Sequence, residues 1–225
     1  MSLLSLLGVH ISVISVLTAL PTQESVVGQI LGHVVKADDM APLRSVTLLM
    51  QSSKEDFAAK TDVDGNFQVL VPAGHYKVLA SRTGYVTAEY GQDDAWHEGR
   101  VVDVTAGEHV SLAMEMVPAA VIIGRVLDAD GDPEVDNNVT AVVPALHAAA
   151  LVAWPYSVDT DDEGHFRLFG LPPGMFYIRA RAPSSSGAQT SACYYPGVTD
   201  LSLAMLVNAE SGLTLVLGDI RCPAK

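Results

Sequence analysis

Beyond residue 25, apolar side chains recur at every second position through most of this chain. Val46, Leu48 and Met50, then Phe67, Val69 and Val71, then Tyr76, Val78 and Ala80, alternate with polar or exposed positions. That is the period of a strand with one face inward and the other in water. The pattern returns at Phe166 and Leu168, at Phe176, Ile178 and Ala180, and at Leu213, Leu215 and Leu217, all read as inward-facing. Turn chemistry separates the runs. Asp64-Gly65 and Glu163-Gly164 close acidic turns on a glycine that supplies positive φ. Pro72-Ala73-Gly74 and Pro172-Pro173-Gly174 stop one strand and reverse the chain into the next. Antiparallel sheet with one wet face follows.

These signals occur twice in the same order, so the chain is a tandem repeat. Gly124 follows Gly32 by 92 residues, Gly164 follows Gly65 by 99, and Gly174 follows Gly74 by 100. The second copy therefore holds seven additional residues before its acidic turn and one more before its Pro-Gly turn. The seven are expected in or near residues 144–155, where Ala145 to Trp154 reads as a brief helix or an apolar loop, with propensity favouring the helical turn. In the first copy residues 26–35 predict a strand, 84–91 a further strand, 92–99 an acidic loop around Trp96, and 101–116 two strands about Ala106-Gly107. In the second, residues 121–127 reopen the order and 184–187 read as a flexible loop. Tyr194-Tyr195-Pro196-Gly197 echoes Tyr90-Gly91. The expected fold is all-β: two tandem antiparallel β-sandwiches of seven to eight strands, residues 26–117 and 118–225, with almost no spacer between them.

Ahead of them, residues 3–20 contain no Asp, Glu, Lys or Arg and are dominated by Leu, Ile and Val. Residues 1–20 are accordingly a signal peptide or a membrane anchor. An 18-residue helix would span about 27 Å against a hydrocarbon core of roughly 30 Å, which favours the cleaved signal. The absence of a basic residue before the run, and bulky Leu17 three residues from a cut after Ala19, speak against it. Either way the rest of the chain is expected outside the cytoplasm: periplasmic, at the cell surface or secreted. Export permits a disulfide between Cys193 and Cys222, the only cysteines, with two separate buried thiols as the alternative. No Cys-x-x-Cys pair is present, so neither metal nor redox chemistry is indicated at the thiols.

The formal charge of −13 and the scatter of the 13 Lys and Arg argue against nucleic acid and against an anionic membrane surface. Membrane contact is expected only through residues 3–20, if they stay attached. Two acidic turns resemble calcium loops at their start. Asp128-Ala129-Asp130-Gly131-Asp132, however, runs into Pro133 where the loop needs glycine, and Gly170 stands at the closing position of the loop beginning at Asp159. Solvated turn carboxylates account for both, and no cofactor or metal is expected.

Gly124-Arg125-Val126 with Asp130-Gly131-Asp132-Pro133, residues 160–166, Leu171-Pro172-Pro173-Gly174 and Tyr194-Tyr195-Pro196-Gly197 resemble the carboxypeptidase regulatory-like domain, a transthyretin-like sandwich related in build to immunoglobulin-like domains. Gly32-His33-Val34, residues 62–67, residues 71–76 and residues 104–108 carry the same resemblance in the first copy. It implies an extracytoplasmic module found appended to peptidases, adhesins and outer-membrane receptors, grouped by fold with starch-binding-like domains and not itself a peptidase. It supplies no ligand.

The residues offer no catalytic set. No histidine has a glutamate three positions away, His97-Glu98 lacks the second histidine of the helical zinc motif, and Gly-x-Ser-x-Gly is absent. The ending, residues 220–225, also lacks the residues a transthyretin-like hydrolase would carry there. The chain is therefore expected not to be an enzyme. Sugar recognition on β-sandwiches stacks pyranose rings on exposed aromatics while carboxylates take the hydroxyls. The candidates are Trp96 with Asp93, Asp94 and His97 in the first module, and Trp154, Tyr156, Tyr194 and Tyr195 in the second. Each has a plain alternative: Trp154 packs in an apolar loop, and Tyr195-Pro196 shapes a turn. The expected function is noncatalytic binding of a polysaccharide or cell-envelope component. The alternative is a structural, assembly or adhesion module that meets an envelope protein through sheet edges or acidic faces.

Overall fold

The computed structural model describes residues 27–144, 151–181 and 192–223. The first module consists of β1 (Val27–Lys36), β2 (Thr47–Gln51), β3 (Phe57–Lys60), β4 (Asn66–Pro72), β5 (Gly74–Ser81), β6 (Ala88–Glu89), β7 (Val102–Val104) and β8 (His109–Met116). The second repeats it with β9 (Ala120–Leu127), β10 (Asn138–Pro144), β11 (Leu151–Asp159), β12 (His165–Leu171), β13 (Gly174–Arg181), β14 (Cys193–Tyr194), β15 (Val207–Ala209) and β16 (Thr214–Arg221).

In each module a three-stranded sheet, β4-β1-β8 or β12-β9-β16, faces a sheet built on β3-β2-β5-β6 or β11-β10-β13-β14, with β7 or β15 pairing the start of β5 or β13. Alternating positions fill the space between. Ile30, Leu48, Met50, Val71, Val78 and Met116 are buried in the first core, and Ile122, Leu168, Phe176, Ile178 and Ile220 in the second. The hairpins are antiparallel as expected, but the first and last strands of each module, β1 with β8 and β9 with β16, run parallel. The correction has a topological cause. β8 returns to the opposite edge of β1 from β4 after the chain has crossed the other sheet, and parallel strands need such a long crossover.

Other expectations shift with the register. The strand expected over residues 84–91 shrinks to β6, because Gly84 to Val86 bond to the inter-module link at residues 117–119 instead of to β5. Leu151 to Trp154 is not helical: it opens β11, paired with β10 through Pro144↔Leu151 and Val142↔Ala153. The cross-strand ladder overrides a helical propensity worth tenths of a kcal/mol per residue. Residues 145–150 and the loop expected over 184–187 lie outside the described residues. Leu213 is exposed ahead of β16, and a bulge between Val216 and Asp219 transfers the buried position of that strand to Ile220.

The added residues of the second copy can be placed. Thr47 and Lys60 pair across the first hairpin 13 positions apart, whereas Asn138 and Asp159 pair 21 apart. The eight extra include two in a bulge at residues 154–156, opposite Ala141, and the connection from β9 to β10 is shorter by one. The single addition before the Pro-Gly turn is a bulge between Leu168 and Leu171, with Gly170 at φ 71°.

A buried threonine braces each module at the same place. The Thr61 hydroxyl donates to the Leu43 carbonyl and accepts from the Val46 N–H, and the Thr160 hydroxyl donates to the Glu134 carbonyl and accepts from the Asn137 N–H. The following carboxylates, Asp62 and Asp161, accept backbone N–H groups within their own turns, from Asp64 and Asn66 and from Glu163 and His165. Asp128 does likewise for residues 130–132. These carboxylates serve as turn acceptors. Among the described residues no group of three or more His, Cys, Asp or Glu is arranged to hold a metal ion, and no helix is long and apolar enough to cross a membrane.

Candidate functional site at the module junction

The join is bonded on both sides. The Val86 N–H donates to the Val117 carbonyl and the Ala119 N–H to the Gly84 carbonyl, both at 2.9 Å, while the Gly212 N–H and the Ser211 hydroxyl of the second module reach the Pro118 carbonyl. Val86, though carried by the first module, is buried in the core of the second. The modules therefore share a packed end.

From this join the loop of residues 90–101 projects along the second module. An Arg100 N–H to Tyr90 carbonyl bond of 2.7 Å closes it at its base, and Gly91, at φ 72°, lets the chain turn there. Inside the loop the Asp94 carboxylate accepts the Trp96 N–H and pairs with the His97 ring, both at 2.8 Å. The Trp96 N–H, and after it the His97 ring, hold the Asp94 carboxyl below its usual value. Trp96 is thereby aimed at the second module. Its ring meets that of Trp154 edge-on, with centroids 5.0 Å apart and planes at 74°, and lies 6.2 Å from Phe176.

Beside it lies a groove of about 810 Å³, lined by Glu89, Gln92, Asp93, Asp94, Trp96 and Arg100 and by Pro172 and Pro173 of the second module. Trp96 keeps 39% of its surface exposed at the groove wall. Glu89 is nearly buried. One of its carboxylate oxygens, Oε1, has no hydrogen-bond partner among the described residues, although the Lys77 ammonium stands 3.5 Å away. With Glu115, which also lines the groove, the site offers an aromatic surface, acceptors from four carboxylates and an amide, and donors from one guanidinium, a set suited to polyhydroxyl ligands.

Of the sequence candidates, Trp96, Asp93 and Asp94 come together here. Trp154 is 7% exposed and supports Trp96 from beneath; it sits on a strand and not in an apolar loop. Tyr156 is 50% exposed, 6.3 Å from the Trp154 ring. Tyr194 and Tyr195 are not brought to this groove: they stand on β14 and the turn after it, where the Tyr195 N–H bonds the Ile178 carbonyl as the Tyr90 N–H bonds that of Val78. Cys193 and Cys222 are joined in a disulfide that ties β14 to the end of β16, with a Cα separation of 5.7 Å. Sequence reasoning missed Glu89, Gln92, Arg100 and the Pro172-Pro173 wall. The proline pair was read for its turn alone, and nothing local to it indicates that the preceding module lies across it.

Comparison with known proteins bears on the build. Residues 29–117 match the carboxypeptidase regulatory-like domain family. No curated protein matches the chain. Among solved structures, the Bacillus anthracis TIE protein is 15% identical, with 88% of this chain and 33% of that one covered and a TM-score of 0.36. The minor pilin GBS52 of Streptococcus agalactiae is 16% identical, with 88% and 96% covered and a TM-score of 0.38. The shaft pilin SpaA of Lactobacillus rhamnosus GG is 11% identical, with 88% and 98% covered and a TM-score of 0.33. The chain spans about a third of the length of the first of these. At such scores the likeness assigns no function. The chain carries a carboxypeptidase regulatory-like domain at residues 29–117, followed by a second module of the same strand order.

Proposed function

We propose that the chain is an extracytoplasmic, noncatalytic binding module whose junction groove takes carbohydrate of the cell envelope or its surroundings. The half-exposed Trp96 ring carries the reading. It is held edge-on by Trp154 and flanked by Asp93, Asp94 and Gln92 in one groove. A ring fixed before the ligand arrives offers stacking area without an ordering cost, and the flanking acceptors suit sugar hydroxyls. The Cys193–Cys222 disulfide and the uncharged residues 3–20 support an oxidising compartment. The test is binding of the chain from residue 21 to soluble glycans and insoluble polysaccharides, with Trp96→Ala and Asp93→Ala beside it. Saturable binding lost in Trp96→Ala is expected, and binding of no glycan removes the reading.

A structural or assembly role is the second reading. Phe169 and Val216 stand exposed on the outer face of β12-β9-β16; the first module carries the likewise exposed Leu70 in the place of Phe169, but Ser111 in the place of Val216. A defined partner crosslinked through this face, and lost on Val216→Glu, would favour it.

A further inference from the structure

We infer that the glycan held in the junction groove carries an acetamido group, read by the free edge of β8. The inference rests on the carbohydrate reading and adds the class of sugar. It follows from the direction of the β8 backbone groups. The Glu108 carbonyl accepts from the Gln29 N–H and the Met116 carbonyl from the Ala37 N–H, so residues 108 and 116 face β1. Backbone groups alternate in direction along a strand, and residues 110, 112 and 114 therefore face β1 as well. Ser111, Ala113 and Glu115 direct their N–H and C=O groups away from β1, on the side where β8 is the last strand of its sheet. Val117, next in the alternation, agrees: its carbonyl accepts from the Val86 N–H at 2.9 Å on that side.

The Val86 bond marks the apex of a fork. Residues 84–86 lie antiparallel to 117–119, with Tyr85 opposite Pro118, and the two stretches then part. β8 keeps to the sheet of β1, whereas Ala88 and Glu89 join β5 in the facing sheet as β6. The groove opens in this fork and is lined by Ala88 and Glu89 on one side and by Ala113, Met114 and Glu115 on the other. Along β6 the edge is closed, since the Gln92 side-chain oxygen accepts from the Glu89 N–H at 2.8 Å. Along β8 it is open: among the described residues, nothing bonds the outward N–H of Ala113 or Glu115. A trans amide fits between such walls because its C=O and N–H point in opposite directions. The acetamido carbonyl accepts from β8 while the N–H turns toward the side that carries Glu89 and Asp93. A hydroxyl has one oxygen for both roles and reaches one wall only. Because Val117 is already bonded, two outward residues of β8 border the groove, enough for one amide and too few for a paired peptide strand.

Calorimetric titration of the chain from residue 21 with the trimers of N-acetylglucosamine, glucosamine and glucose, all in the same linkage, tests the inference. The acetylated trimer is expected to bind at least tenfold tighter than either of the others, and to shift the amide resonances of Ala113 and Glu115. Ala113→Pro removes one outward N–H and leaves the bonds to β1, which residues 112 and 114 make, in place. It is expected to weaken the acetylated trimer at least tenfold. Should that variant lose its thermal transition, the two amide resonances of the unsubstituted chain decide. An acetylated trimer that binds no better than the glucose trimer, or that leaves both resonances unmoved, overturns the inference while the carbohydrate reading stands. Extended peptides that shift these amides where the acetylated trimer does not would overturn it in favour of strand addition. Binding of no trimer and no other glycan would remove both readings.

Discussion

The Trp96 and Trp154 rings meet edge to face, 5.0 Å between centroids, although they belong to different modules. The contact makes a loop of the first module part of the end of the second. Trp154→Ala removes a buried indole and is expected to cost about 3–5 kcal/mol in the second module, measured by urea unfolding. Because the chain has only two tryptophans, the variant also leaves Trp96 as the single reporter. Its emission is expected to shift to the red as the ring loses its support.

The paired threonines give a second test. Thr61→Val and Thr160→Val keep the shape but remove a hydroxyl that both donates and accepts beneath the surface. Each is expected to destabilise its module by about 1–3 kcal/mol, since the Val46 or Asn137 N–H loses its acceptor. Denaturant midpoints equal to those of the unsubstituted chain would show that water replaces the hydroxyl.

Gly32 and Gly124 explain why the repeat keeps glycine at these points. Each lies directly across from a phenylalanine, Phe67 or Phe166, whose ring covers it. A Cβ at either glycine would stand 2.7 Å from the ring, and at Gly32 also 2.3 Å from the Leu112 carbonyl oxygen. Gly32→Ala and Gly124→Ala are expected to destabilise by about 1–3 kcal/mol, Gly124→Ala through displacement of the ring and Gly32→Ala the more of the two because the Leu112 carbonyl of β8 must also shift, again read from unfolding midpoints.

The fold was legible because its signals are local. Alternation at Val46, Leu48 and Met50, or at Phe176, Ile178 and Ala180, depends on strand period alone, and each of these residues is buried as that period requires. Glycine spacing likewise found the extra residue that became the Gly170 bulge. The parallel pairing of β1 with β8 was not legible, since no local pattern records which edge a returning strand takes. At the site, Trp96 and its acidic neighbours stand out by composition. Their meeting with Trp154 and Pro172 depends on how the modules abut, and the stretch ending at Trp154 reads as a brief helix or an apolar loop because its Ala-rich run masks the strand that opens at Leu151. The nearly buried Glu89 looks in the sequence like any exposed polar residue, because a two-residue strand carries no pattern of its own.

Asp94 links the site to pH. Its side chain is half-exposed, and the Trp96 N–H and the His97 ring hold its carboxyl below the ordinary 3.8. A lowered carboxyl contributes order above its unfolded value and loses it as pH falls through the folded one. The Trp96 backbone amide resonance, followed by NMR, is therefore expected to titrate with a midpoint below 3.8. Asp94→Asn is expected to abolish that titration, and a midpoint at or above the ordinary value would mean that the cap is not formed.

The central claim is that the junction groove is the carbohydrate site and that Trp96 is its stacking surface. The most direct measurement is calorimetric titration of the chain from residue 21 with the tightest ligand from a glycan panel, repeated with Trp96→Ala. A stacking aromatic is worth about 0.5–1.5 kcal/mol beyond its buried area, and the lost apolar area adds to this, so a loss of about tenfold in affinity is expected, measured at a temperature where the variant, which also loses the Trp96–Trp154 contact, remains folded. Affinity unaltered by Trp96→Ala would contradict the account and place any glycan elsewhere on the molecule.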